Sequence, residues 1–156
     1  MSETLSPSYA RYLLAYLLWA ISVVLAVVDL LVWRSSAMIV LGMTPWDRYV
    51  EHAINQFSFL LLAIVGLGVI VFTEHHYRTG VEENRLLPRF LRVTFIELLV
   101  LTLAHLVWLI GEVVLGFYAP LTVGIVLAEA ALCATVFWLY RRVTRYTKKH
   151  NSIHPS

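Results

Sequence analysis

Residues 93–140 read VTFIELLVLTLAHLVWLIGEVVLGFYAPLTVGIVLAEAALCATVFWLY and carry the clearest structural signal in the chain. They hold two apolar runs, Val93–Tyr118 and Leu121–Tyr140, joined at Tyr118-Ala119-Pro120 with almost no loop. At ~1.5 Å per residue each run is long enough to cross a ~30 Å hydrocarbon layer. The pair is expected to form a tight antiparallel hairpin of membrane helices. Toward the N-terminus two more runs qualify, Tyr12–Trp33 and Phe57–Thr73. The expected fold is an all-α integral membrane protein: four transmembrane helices in an antiparallel bundle, one domain over 1–156. The spans are placed near 10–33, 46–78 (with an outward extension), 91–118 and 120–142, followed by a polar tail over 143–156.

Composition agrees. Hydrophobic residues make up 60% of the chain and charged residues 14%, well below the ~25% of an ordinary soluble domain. No stretch outside the spans is long enough to bury a core of its own. The first span is too long for the apolar region of a signal peptide and no small-residue cleavage site follows it, so it is expected to remain in place. Cys133 is the single cysteine. That excludes an intramolecular disulfide, a paired-cysteine redox motif and a cysteine-rich metal site.

The net charge of +2 hides a strong asymmetry. With four spans, one side carries Arg11, Arg78, Arg85, Arg89, Arg92, Arg141, Arg142, Arg145, Lys148 and Lys149, and the other only Arg34 and Arg48. The positive-inside rule then places both termini in the cytoplasm, in the cell membrane. The basic tail that begins at Arg141 follows a span directly. It is expected to set topology and touch lipid headgroups rather than nucleic acid.

Along the chain, Tyr9, Tyr12, Tyr16 and Trp19 mark one interface of the first span and Trp33 the other. The segment Ser35–Met43 is apolar but too short to span, and is expected to lie in the outer interface. Thr44-Pro45-Trp46-Asp47 reads as a helix start, with Thr44 as N-cap and Pro45 in the first helical position. Nothing breaks the pattern until Thr79-Gly80, giving a second helix of ~50 Å that tilts or projects outward. The mixed-charge stretch Arg78–Arg92, with Pro88 near its end, is expected to be the connection to the third span. Gly66, Gly68 and the alanines around Glu129 (Ala128, Ala130, Ala131, Ala134) read as positions of close helix packing.

Four carboxylates lie within the spans: Asp29, Glu97, Glu112 and Glu129. Acids are costly at membrane depth, so each needs a partner or a task. The polar residues of each helix share one face: Arg11, Ser22 and Asp29 on the first; His52, Asn55, Gly66 and Thr73 on the second; Thr94, Glu97, His105, Trp108 and Glu112 on the third; Thr122, Glu129, Cys133 and Tyr140 on the fourth. A polar interior follows. Counted from a turn at residue 119, Glu129 lies ~5 Å in depth from both His105 and Glu112. A buried polar cluster of Glu129, His105, Glu112 and Cys133 is therefore expected. Glu97 is expected to pair with Arg141 or Arg142, and Asp29 with Arg34 or Arg48.

His105 is also the candidate ligand for a cofactor. Ala104-His105-Leu106-Val107-Trp108 resembles the pigment-binding stretch of bacterial light-harvesting helices, which implies haem or a chlorophyll-type pigment held by His105. His52, the best second histidine, lies at the other end of its helix. Glu74-His75-His76 is read as a polar helix end, because adjacent histidines diverge by ~100°. No metal site and no cofactor follow from the residues themselves. Enzyme signatures such as H-E-x-x-H, G-x-S-x-G, phosphate-binding glycine loops and the E-x-x-H of di-iron bundles are absent. Asp47, Glu51 and Asn55 form a polar stripe on the outer part of the second helix that could receive a partner protein.

Three readings of function follow. The leading one is an accessory or assembly subunit of a larger, energy-transducing membrane complex, partnered by other integral membrane subunits or by self-association. The second is a small proton- or cation-coupled transporter using Glu129. Four spans with a buried glutamate resemble the small multidrug-resistance exporters, although those carry the acid in the first span, where this chain has Asp29. The third is a haem- or pigment-binding membrane subunit through His105.

Overall fold

The computed structural model describes residues 7–43, 47–83, 85–117 and 120–151. Four helices follow one another: α1 (Pro7–Gly42), α2 (Arg48–Glu82), α3 (Leu86–Val114) and α4 (Pro120–Asn151). No strand occurs among the described residues. All four helices are long and apolar enough to cross a membrane, which marks a multi-pass membrane protein. Their outward faces are correspondingly apolar: Leu60, Ile64, Leu67, Val71 and Leu127 are all exposed.

The helix ends differ from the hydropathy pattern, and each difference has a local cause. Ser35–Met43 is not a separate interfacial segment. It continues α1 as far as Gly42, with Ser35 and Ser36 bonding back to the Leu31 and Val32 carbonyls. At 36 residues α1 is ~54 Å long. The expected capping residues Thr44 and Pro45 lie outside the described residues. The cap observed is Asp47, whose carboxylate accepts from the Tyr49 amide at 3.4 Å. Thr79-Gly80 does not stop α2, which runs to Glu82.

The connection expected over Arg78–Arg92 is almost entirely helical. Arg89, in the first turn of α3, clamps the turn by donating to the His76 carbonyl (2.7 Å) and to Glu83 (2.8 Å). A Cβ at Gly80 would sit 3.0 Å from the Arg89 side chain and 3.4 Å from the Leu86 backbone, so the two helices meet closely there.

The end of α3 has the largest consequence. The helix stops at Val114, short of the expected Tyr118, because Gly116 adopts φ +78°. The Phe117 amide bonds the Glu112 carbonyl (2.8 Å) and the Gly116 amide bonds Val113 (3.1 Å). This is the double-bonded C-terminal cap that a left-handed glycine permits. The turn is thereby centred near residue 117 rather than 119, and every α3–α4 pairing shifts with it. Phe95 packs on Phe137 with ring centroids 5.1 Å apart.

Helix α3 contacts all three other helices, whereas α4 contacts α3 alone among the described residues. The α1–α3 crossing is the tightest. Ser36 donates to the Ala104 carbonyl at 2.8 Å, both residues being fully buried. A Cβ at Gly111 would lie 2.4 Å from Ile39 Cγ2. Ala15, Ser22, Asp29 and Ser36, the buried residues of α1 at seven-residue spacing, form a narrow seam of small side chains.

Candidate functional site

The seam on α1 carries an acid at its middle. Asp29 is 7% exposed, and so is Glu97 on α3. The Ser36–Ala104 and Ile39–Gly111 contacts run α1 and α3 side by side, bringing Asp29 and Glu97 to one level. Neither is satisfied. Asp29 Oδ1 and both Glu97 carboxyl oxygens are buried without a hydrogen-bond partner, and Thr94 Oγ1 nearby on α3 is unpartnered as well.

On the arginine-rich side of this pair, Ser22 and Tyr77 join α1 to α2. Their hydroxyl oxygens lie 2.7 Å apart and each residue is 1% exposed. The Ser22 hydroxyl also lies beside the Glu97 carboxyl, in a geometry that does not make a hydrogen bond. Tyr77 packs against Phe90 on its other flank. Beyond it, toward the helix ends, lie Tyr12, Glu74 and Arg78, which share a small cavity with Tyr77.

On the far side, α3 and α4 supply a second pair. His105 Nδ1 lies 2.9 and 3.0 Å from the two Glu129 carboxylate oxygens. The contact engages Nδ1, the ring nitrogen that faces Glu129. Two bonded pairs, Ser22–Tyr77 and His105–Glu129, thus flank the unpartnered Asp29 and Glu97.

The structure brings together some of the expected residues and separates others. His105 and Glu129 meet. Cys133, one turn along α4 from Glu129, is buried on the same side. Glu112 does not join them: its Oε1 accepts from Trp108 Nε1 at 2.9 Å and its Oε2 is unpartnered. With the turn at Gly116, His105 is level with Glu129 and Glu112 is about two turns away.

The expected ion pairs are not formed. Arg34 lies over the Phe59 ring, Arg141 over Phe137 and Arg142 over Trp138, at 5.2–5.4 Å from the centroids. Glu97 turns toward α1, away from α4, and the same register shift carries Arg141 more than a turn beyond its level. Asp29 faces α3 while Arg34 faces α2.

Ser22 was expected on the polar face of the first helix, but its pairing with Tyr77 was not. Tyr77 reads in sequence as one more aromatic at a helix end, and only the seven-residue spacing of small residues on α1 could have pointed to it. Among the described residues no group of three or more histidine, cysteine or acidic side chains converges as metal ligands would; His76 stacks instead on Phe72. No protein-family model, curated protein or solved structure matches this chain.

Proposed function

We propose that this chain is a small multi-pass protein of the cell membrane, both termini cytoplasmic, whose buried acids take up and pass on a proton or small cation. The observation that supports this most directly is the Asp29–Glu97 pair: two acids at membrane depth, each 7% exposed, with unpartnered oxygens and, among the described residues, no arginine or lysine paired to them. A buried ionisable group with no structural partner lowers the stability of the fold, and in a membrane interior such groups mark ion or proton paths. Tyr77 and Ser22 give the pair a hydrogen-bonded approach from the arginine-rich end. Glu129 and His105 carry it toward the other. A proton accepted at Glu97 from the Ser22–Tyr77 side would pass to Asp29 and then to the Glu129–His105 pair, each step moving one proton from an acid to the neighbouring carboxylate or imidazole.

A second reading, the membrane-complex subunit, rests on a different observation. Because α4 leans, among the described residues, on α3 alone, the His105–Glu129 pair keeps part of its surface open, and a helix from another subunit or a second copy would cover it. The two readings are compatible, since proton-handling subunits commonly act inside larger assemblies.

The test is proton flux in liposomes of the purified full chain loaded with a pH-sensitive dye. Under an imposed pH gradient the wild-type protein is expected to dissipate the gradient faster than protein-free liposomes. Glu97→Gln, which keeps shape but cannot hold the charge, is expected to slow this by at least ~100-fold, the low end of what a positioned proton-transfer group contributes. Equal flux with wild type and Glu97→Gln would sink the proposal.

A further inference from the structure

The arginines of α4 form a surface whose geometry is set by the helix itself. Trp138, Arg141, Arg142, Arg145 and Tyr146 line one open cavity of about 460 Å³. At ~100° per residue they occupy an arc of about 140°, centred on the opposite side of α4 from Glu129 and Cys133, the side that meets α3. The cavity therefore faces away from every other helix. Arg142 lies 5.2 Å from the Trp138 ring centroid, so the indole holds that guanidinium in place. None of the three arginines is in an ion pair with a described carboxylate. They follow directly on the apolar run Leu121–Tyr140.

We infer that this face binds the phosphate of an anionic phospholipid headgroup. The guanidinium forks of Arg142 and Arg145, one turn apart, match the planar, bidentate recognition of phosphate oxygens. The aromatic rings of Trp138 and Tyr146 place the site at headgroup depth, where amphipathic rings settle. A soluble phosphate would meet the same arginines, but the acyl chains of a lipid also cover the exposed apolar flank of α4 at Leu127 and Trp138. The site is independent of the buried acids and of any proton path.

Native mass spectrometry of the detergent-purified full chain, titrated with phosphatidylglycerol, phosphatidylcholine or inorganic phosphate, tests the assignment. Preferential retention of phosphatidylglycerol over phosphatidylcholine is expected. Arg142→Gln with Arg145→Gln is expected to weaken it about 25-fold, about fivefold for each cationic side chain at an anionic surface. Trp138→Leu, which leaves every charge in place, is expected to weaken it less but measurably, and Arg34→Gln at the opposite end of α1 not at all. Equal retention of the two lipids, loss of phosphatidylglycerol on adding inorganic phosphate, or an unaffected double variant would each overturn it.

Discussion

Replacing Glu97 by methionine is expected to make the protein more stable while removing its proton transfer. The side chains have nearly the same length and volume, so no cavity is opened and no neighbour must move. What changes is that two buried oxygens with no partner disappear. In a soluble interior each unsatisfied polar group costs about 1–3 kcal/mol. In a membrane the unfolded reference also finds polar partners, and measured interhelical hydrogen bonds average only about 0.6 kcal/mol. Taking both oxygens at the lower values, the variant is expected to gain about 1–2 kcal/mol. Reversible unfolding in mixed micelles, followed by helical circular dichroism against denaturing-detergent fraction, reads the difference directly. A methionine variant less stable than wild type would mean that Glu97 has a stabilising partner, and the reading of an uncompensated acid would fail.

Four further outcomes follow. Ser22→Ala orphans the Tyr77 hydroxyl and is expected to cost about 1 kcal/mol, whereas Tyr77→Phe leaves Ser22 free to turn to Glu97 and is expected to cost less; a double-mutant cycle by the same unfolding assay checks the asymmetry. Gly111→Ala places a methyl 2.4 Å from Ile39 Cγ2 and is expected to lose about 1–3 kcal/mol at the α1–α3 crossing, partly recovered by Ile39→Ala. Arg89→Ala loses the bond to the His76 carbonyl and is expected to lower stability by about 1–2 kcal/mol, while Glu83→Gln, whose side chain is half-exposed, is expected to be silent within about 0.5 kcal/mol. If His105 holds haem or a chlorophyll-type pigment through Nε2, protein purified from its native membrane absorbs visible light and His105→Ala bleaches it; a colourless preparation from a host that makes the pigment removes that reading.

The spans were legible in the sequence because membrane crossing depends on mean apolarity over many residues, which no single side chain can disguise. The His105–Glu129 meeting was legible too, since a short hairpin leaves few registers. Its neighbours were not. One glycine with positive φ displaced the turn, and that was enough to remove Glu112 from the cluster and Arg141 from the level of Glu97. The Asp29–Glu97 level depends on the α1–α3 crossing, set by Ser36 against the Ala104 carbonyl and by Ile39 against Gly111. Those contacts join residues nearly half the chain apart, and neither helix records its partner in its own periodicity. Arginines near acids in a linear count also chose aromatic faces instead, a competition that charge counting does not include.

The attachment of α4 to α3 alone has a bearing on how the chain is built. The helices enter the membrane from the ribosome in two hairpins, α1 with α2 and then α3 with α4. The second hairpin brings the Glu129–His105 contact complete, because both partners lie on its own two helices. Asp29 has no such provision: it crosses with the first hairpin and waits for α3. Divided between α2 and α3, the chain would fall into two halves that each carry one acid of the unpartnered Asp29–Glu97 pair. Docking of the two halves, rather than insertion of either, is then the step at which the buried acid path first exists.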